Sequence, residues 1–443
     1  MARARVLFAV FLLTLAAIGT AAPAYAAPVT NCPAGPGPST SGTHTICLTA
    51  PSETLTGEQL IAVTNSPNNR KVIFSWLPDG KRIPTYLQTS FVSNPTRPQN
   101  YSFVWPTDKY PDGSGLLQAQ FGSTTTEIVW IRVTLQNGNP AGSYRQNPRD
   151  WAPPAPWAGT VDPVVAAVGD GASNEKASNA VADSIVRATP DLFLYLGDVY
   201  EEGTFTEYRN HYGVSSVDDP SGAGTLWGRL AGITEATFGN HEVHSEPAFL
   251  DYWHRTPSQM YTMFEIGGVQ FLNLWSGRSQ FNVGTQQYEE VEAKLRSLSP
   301  NTCVVAFWHQ PVVVGTQVRS NLLPVWQLLA DNGGDVVLNG DAHFLAEYEP
   351  LDRNLEPDEE LDPAPDAHMV QLISGAGGHA LSQTKLDLER MAWPTSQIKQ
   401  SGAVYLTLNG AAPANGGTAT SITWSFEDTN ATTASLQTGH IDC

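Results

Sequence analysis

A chain of 443 residues in which 24 Lys+Arg face 43 Asp+Glu carries a formal net charge of −19. Such a surface repels polyanions at long range, which argues against duplex nucleic acid as a partner. With 41% hydrophobic residues the chain is globular in composition, and at about 150 residues per domain it has room for two or three domains.

Arg3 and Arg5 precede an apolar run from Val6 to Ile18, and Ala24-Tyr25-Ala26 follows. A basic start, a short apolar core and small residues before a cleavage point are the layout of a secretory signal, so residues 1–26 are expected to be removed near Ala26. The run is shorter than the roughly 20 residues of a spanning helix, and no second such run occurs, so a secreted protein without a membrane span is expected. Cleavage would leave 22 basic residues, Arg3 and Arg5 being lost, against 43 acidic ones, a charge of −21. Four cysteines in an exported chain allow up to two disulfides and three pairings. Cys32 and Cys47 lie close together in a Pro/Gly/Ser-rich stretch, and their pairing is preferred as a short staple of ~3 kcal/mol. Cys303 and Cys443 would then pair by elimination, unless Cys303 is simply a small buried apolar residue opening a strand.

From about Leu48 to Leu135 the chain reads as short strands with turns: KVIFSWLPDGK around Val72, NYSFVW around Phe103 and TTEIVWIRVTL around Val129. Alternating apolar residues, bulky β-formers and the dipeptides Asp79-Gly80 and Asp112-Gly113 suggest a small all-β sandwich, immunoglobulin/fibronectin-like, over residues 30–140. Nothing in it carries chemistry, and the isolated His44 reads as a solvated loop residue. Asn100-Tyr101-Ser102 and Asn430-Ala431-Thr432 match the glycosylation pattern, a short one that chance also produces. Pro and Gly crowd the segment between Asn137 and Pro163, marking residues 141–162 as a linker.

Beyond it the pattern changes. VVAAV before Gly169, FLYL before Gly197, VVAF before Trp308 and VVL before Asn339 are apolar throughout, as strands buried on both faces are. EKASNAVADSIVRAT after Asn174 and TQQYEEVEAKLRSL after Gly284 read as helices, the second with Tyr288, Val291, Leu295 and Leu298 at helical spacing. Residues 163–443 are therefore expected to form an α/β domain, layered sheets with flanking helices. Asp352 to Pro365 is acidic and Pro-rich, an exposed loop, and strands return at VQLISGAGG and AVYLTL.

Ligands in α/β sheets gather beyond the carboxyl ends of strands. Here those ends carry Asp170, Asp198, Asn240 with His241, His309, and Asp341 with His343. A single Gly-Asp after a strand is usually only a turn; five such ends in order are not explained as turns. Carboxylates, an amide oxygen and imidazoles suit hard or borderline ions such as Fe, Zn or Mn, and one bridging carboxylate can hold two ions about 3.5–4 Å apart, a spacing fit for phosphoryl transfer. No Gly-x-x-x-x-Gly-Lys loop, Cys-x-x-Cys pair or Gly-x-Ser-x-Gly elbow points to a rival chemistry.

The series GD at Asp170, GDVYEEG at Asp198, GNHE at Asn240, WHQP at His309 and GDAH at His343 resembles the calcineurin-like metallophosphoesterase signature, in its purple acid phosphatase-like form, over roughly Val164 to Pro350. The resemblance implies that Asp170 and His343 bind one metal, that Asp198 bridges, that Asn240 and His309 bind a second, and that His241 contacts the phosphate and protonates the leaving group. It also implies a small phosphate ester as substrate and two divalent or trivalent cations as cofactors. The family's final motif is Gly-His-x-His, whereas Asp341 stands at the first histidine here, either a substitute hard-ion ligand or a turn residue beside an incomplete site. The family's metal-binding Tyr follows the bridging Asp by three residues; Tyr200 follows Asp198 by two, so its ligation rests on loop adjustment. Glu242 reads as a support for the loop; His211, His244, His254 and His379 are secondary candidates near the cleft. The expected activity is hydrolysis of phosphate monoesters through water activated by two cations. The alternatives are a phosphodiesterase or nucleotidase, decided by loops such as Val214–Leu226 and Val243–Tyr261, or a non-catalytic secreted binding protein with a degenerate metal site.

Overall fold

Alternation along the first strands sets the N-terminal architecture. A computed structural model of the chain describes residues 27–32, 47–66, 71–82, 84–90, 99–121, 128–139, 152–155, 157–173, 176–277, 279–315, 317–356, 369–382, 396–415, 417–429 and 435–443. Residues 1–26, His44, residues 141–151 of the linker, 357–368 of the acidic stretch and Asn430-Ala431-Thr432 lie outside the described residues.

Nine strands, β1 (Val29–Asn31), β2 (Cys47–Ala50), β3 (Thr54–Leu55), β4 (Glu58–Ser66), β5 (Val72–Pro78), β6 (Thr85–Ser90), β7 (Gln99–Pro106), β8 (Gly113–Phe121) and β9 (Ile128–Leu135), form two sheets ordered β1-β2-β4-β7 and β3-β9-β8-β5-β6. Ile61, Val63, Phe103 and Trp105 of the first sheet meet Phe74, Trp76, Leu117 and Ile131 of the second in one buried core. Phe74 and Phe103 pack across it with ring centroids 4.7 Å apart, Trp76 and Trp105 at 5.4 Å. This is the two-layer sandwich that period-2 patterning dictates. Asp79-Gly80 is a turn, but Asp112-Gly113 is not a hairpin: Gly113 opens β8, and the Asp112 carboxylate accepts the amides of Asn137, Gly138 and Asn139 at 2.6, 2.8 and 3.1 Å. It clamps the segment leaving β9, the Asx chemistry that a turn dipeptide shares. The Cys32–Cys47 disulfide closes 15 residues, with Cα atoms 4.2 Å apart.

The second half is built from β10 (Val164–Val168), β11 (Leu192–Tyr195), β12 (Thr234–Ala236), β13 (Thr262–Ile266), β14 (Val269–Asn273), β15 (Val304–Phe307), β16 (Val313–Val314), β17 (Gln317–Val318), β18 (Val336–Asn339), β19 (Leu345–Glu347), β20 (Val370–Ser374), β21 (Ser396–Ile398), β22 (Gly402–Asn409), β23 (Ser421–Asp428) and β24 (Gln437–Asp442). One sheet runs β12-β11-β10-β22-β23-β24, with β10 to β12 parallel; the other runs β13-β14-β15-β18-β20-β19-β21, with β14, β15, β18 and β20 parallel.

The uniformly apolar runs are explained by their two faces. Val165, Ala167, Leu192, Leu194, Val305, Phe307 and Leu338 enter the core between the sheets. Their neighbours Ala166, Val168, Phe193 and Tyr195 pack outward under helix Lys176–Ala188, and Val304, Ala306 and Val337 under helices Gln286–Ser297 and Leu323–Ala330. Helices thus cover both outer faces of a double sheet, four layers in all. Cys303, fully buried immediately before β15, is disulfide-bonded to Cys443 across 140 residues, so the pairing holds and the alternative of a merely packed, unpaired cysteine does not.

At the edge strand β12, Glu235 accepts Arg255 Nη2 at 2.6 Å and Asn273 Nδ2 at 2.8 Å, and also bonds the Thr262 hydroxyl. Glu235 and Arg255 side chains are each 1% exposed, so removing one partner strands the other's charge. Arg255→Met should lower unfolding free energy by about 3–5 kcal/mol in a denaturant titration, most of it recovered when Glu235→Gln is added.

The sandwich docks on the second half through Tyr110 against Phe205 (5.2 Å), Lys109 to Asp251 (2.8 Å) and Thr206 Oγ1 donating to Val104 O (3.1 Å). Beside these contacts Glu207 is fully buried, receiving Glu202 N at 3.1 Å and Thr204 N at 3.0 Å. Burial pushes its carboxyl from 4.5 up to about 8 against those bonds. With the folded value above the unfolded one, its contribution to stability is full below about pH 4.5 and is lost as pH rises to about 8. Glu207→Gln should flatten that decline, read from thermal midpoints across this range.

Candidate metal centre

Five parallel strands deliver the donors. Asp170 follows β10, Asp198 follows β11, Asn240 and His241 follow β12, His309 follows β15, and Asp341 and His343 follow β18. The first three strands belong to one sheet and the last two to the other, so the site lies at the mouth between the sheets. Among the described residues ten non-glycines have positive φ, and five of them are Asp170 (56°), Asp198 (62°), Tyr200 (60°), Asp341 (63°) and His343 (55°). A left-handed backbone is costly outside glycine and persists where surrounding structure enforces it, and concentration on these loops is a mark of function. Gly197 (φ 91°) allows the close approach that follows: a Cβ there would lie 2.8 Å from His309 Nδ1.

The buried carboxylates are held by main-chain donors. Asp170 Oδ2 accepts Asp341 N at 2.8 Å, and Asp198 Oδ1 accepts His241 N at 3.0 Å. Tyr195 Oη donates to Asp198 O at 2.8 Å and receives Gly171 N and Ala172 N at 3.3 and 3.1 Å, tying the first two loops together. Glu242 ties the second to the third, accepting Val199 N at 2.6 Å, Gly239 N at 2.9 Å and Asp198 N at 3.3 Å. Burial, then the charge of Asp198, pushes the Glu242 carboxyl up to about 7.

The histidines are oriented alike. Nδ1 of His309 lies 2.6 Å from Leu196 O, that of His241 2.7 Å from Glu201 O, and that of His343 3.1 Å from Ala380 O. A carbonyl only accepts, so each Nδ1 carries a hydrogen and each neutral ring presents a lone pair at Nε2. Those Nε2 atoms converge on the carboxylates: His309 to Asp198 Oδ2 at 3.1 Å and Asp341 Oδ1 at 3.6 Å, His343 to Asp170 Oδ1 at 3.3 Å, His241 to Asp198 Oδ2 at 3.5 Å. One donor atom each from Asp170, Asp198 and His309 falls within 4.8 Å of the others.

Asp170 Oδ1 and His309 Nε2 are nevertheless buried without a hydrogen bond. Polar atoms that face one another at close range yet stay unbonded are placed for a shared cation, and oxygen with imidazole donors fits a hard or borderline ion. The charge state agrees. Burial raises the Asp170 carboxyl despite His343 and His309 beside it; for His309 burial works the other way and Asp198 overcomes it, raising the imidazole well above its ordinary range.

Asn240 is exposed at the rim, where Gln310 Nε2 donates to its Oδ1 at 3.4 Å. Tyr200 stacks its ring on His211, centroids 3.8 Å apart and planes 14° from parallel, and burial lowers the His211 imidazole to about 4. His254 bonds Asp218 at 3.1 Å. The Gly-rich turn after β20 does reach the site: His379 N donates to Asp170 O at 3.0 Å, and its ring centroid is 4.8 Å from that of His343. Arg319 was not marked by any sequence pattern, yet its Nη2 donates to Asp341 Oδ2 at 2.6 Å.

Residues 164–345 match the family model of calcineurin-like phosphoesterases. Among solved structures, the chain is similar to the purple acid phosphatase PPD1 from yellow lupin (Lupinus luteus) seeds, at 12% identity over 87% of this chain and 72% of that one, with a TM-score of 0.48. It is also similar to GAP50, the anchor in the inner membrane complex of Plasmodium, at 14% identity over 64% of this chain and 89% of that one, with a TM-score of 0.43. No curated protein sequence matches the chain.

Proposed function

From the premise that residues 164–345 form a calcineurin-like phosphoesterase domain, and that the chain is a metal-dependent hydrolase of phosphoric esters, we propose that it is a secreted phosphomonoesterase with a two-cation site. The supporting observation is the common orientation of His309, His343 and His241, each anchored through Nδ1 to a main-chain carbonyl with Nε2 turned to Asp198 or Asp170. Outer partners of this kind fix the tautomer and direction of a metal-binding imidazole.

In this reading Asp170 and His343 hold one ion, Asn240, His309 and Asp341 the other, and Asp198 stands between them; Tyr200 is assigned to the wall with His211. When bound, two such cations supply Lewis acidity and bring the pKa of water toward neutrality. His241 is left to the leaving group, because its Nδ1 hydrogen is committed to Glu201 O and its Nε2 is the ring atom free to carry the transferred proton. The signal-like pattern read in the sequence of residues 1–26 and the two disulfides accord with an oxidising, extracellular compartment.

The test is hydrolysis of an aryl phosphate monoester and of a bis-aryl diester by chelator-stripped protein resupplied with Fe, Zn or Mn, across pH. Monoester turnover that returns with metal supports the proposal. Cleavage of the diester alone would make it a phosphodiesterase. Absence of both would leave a binding protein.

A further inference from the structure

We propose that Arg319 is a substrate-binding residue of this site, its guanidinium held by Asp341 so as to take an oxygen of the phosphoryl group. The inference rests on the phosphoesterase reading above. Its geometry comes from the hairpin that follows His309: β16 pairs with β17 through Val313↔Val318 and Val314↔Gln317, and Arg319 N donates to Val312 O at 2.8 Å. The hairpin therefore returns Arg319 to the chain three residues beyond His309. There Nη1 donates to Pro311 O at 2.9 Å and Nη2 to Asp341 Oδ2 at 2.6 Å.

Asp341 is the link. Its Oδ1 lies 3.6 Å from His309 Nε2, so the guanidinium is one carboxylate's width from the candidate ligand set. The Asp341 side chain is 17% exposed and that of Arg319 33%, which puts the cation at the solvent edge of the site rather than in its floor. A guanidinium has five N–H donors in a rigid fork, and among the described residues two of them are engaged by Pro311 and Asp341.

Electrostatics give the arrangement a purpose. The chain as a whole stands at −19, a charge that opposes the approach of a phosphate dianion at long range. A fixed guanidinium at the solvent edge of the site places a positive charge on the approach and offers the paired N–H groups that phosphate oxygens accept. Two anchors, one charged and one main-chain, remove much of the rotamer freedom that an arginine loses on capturing an anion.

The experiment measures inorganic phosphate binding by the metal-loaded protein, by calorimetry and as competitive inhibition, for the wild type, Arg319→Ala and Arg319→Lys, with metal content by elemental analysis. Losing a charge-assisted bond should weaken phosphate binding roughly 10- to 100-fold in Arg319→Ala, raise KM for an ester in parallel with kcat falling much less, and leave metal content unchanged. Lysine should recover part of the loss, restoring charge without the fork. Unchanged phosphate affinity and KM in a folded, metal-replete Arg319→Ala would overturn the proposal. So would a loss of phosphate binding that follows loss of metal and is cured by excess metal, since Arg319 would then act only by placing Asp341. If the wild type neither binds phosphate nor turns over an ester, the phosphoesterase reading itself fails, a result the same titration separates from failure of Arg319 alone.

Discussion

Asp198→Ala should abolish both metal retention and catalysis, with kcat/KM for a phosphate monoester falling by more than about 10³-fold. Loss of an outer partner of a metal ligand costs 10- to 100-fold, and Asp198 is proposed as a ligand to both ions. Its side chain is 8% exposed, and its two oxygens face different partners, Oδ1 the amide of His241 and Oδ2 the Nε2 atoms of His309 and His241. Alanine removes all of these while the backbone stays anchored by Tyr195 Oη on its carbonyl and Glu242 on its amide. Because Asp198 sits at φ 62°, where alanine is less favourable than aspartate or asparagine, Asp198→Asn is the companion variant that keeps the backbone preference. Metal-induced stabilisation provides a readout that needs no turnover: an ion at 100 times its Kd adds about 2.7 kcal/mol to the folded state. The wild-type melting temperature should rise on titration with Mn or Zn, and that of Asp198→Ala should stay flat. A variant that still gains the full increment would remove Asp198 from the ligand set.

The sequence exposes the donors well because of where they stand. A strand buried on both faces must be apolar throughout, so Val164–Val168 or Val304–Phe307 shows plainly against its surroundings, and the first polar residues after it stand out as loop chemistry. The layered α/β arrangement follows from the same runs, since apolar residues on alternate faces need a second sheet on one side and helices on the other. Pairing is less legible. The antiparallel addition of β22, β23 and β24 beside β10 joins residues more than 200 apart, and no local pattern encodes it. Strand β8 is poorly legible for a local reason: Leu117, Ala119 and Phe121 point inward, but Leu116 beside Leu117 interrupts the alternation. Arg319 was invisible because its role depends on a two-residue-strand hairpin, too short for periodicity to register. The Tyr200–His211 stack likewise depends on how one loop folds over the next helix. Asp112 shows the converse, a turn-like dipeptide whose side chain caps a segment 25 residues away.

His241→Ala should separate binding from chemistry. The ring is fixed by Glu201 O at Nδ1 and faces Asp198 Oδ2 at 3.5 Å through Nε2, with its side chain 33% exposed toward the mouth. Burial alone would lower its pKa, but Asp198 and Glu242 nearby reverse the shift and raise it. Glu201 also meets Lys71 of the N-terminal sandwich at 3.6 Å, so the carbonyl that orients His241 sits on a loop braced by the other half of the chain. If His241 protonates the departing oxygen, its loss should matter in proportion to how poor the leaving group is. For an alkyl phosphate kcat should fall by ~10²–10⁴-fold, the worth of a positioned general acid, while an activated aryl phosphate, whose phenolate leaves unaided, should lose much less. Metal content should be unchanged, in contrast to Asp198→Ala. The alkaline limb of the wild-type kcat–pH profile should also vanish in the variant, because a general acid contributes only while it holds its proton. Equal losses for both classes of substrate would instead make His241 a binding residue for the phosphate and leave the proton to come from solvent.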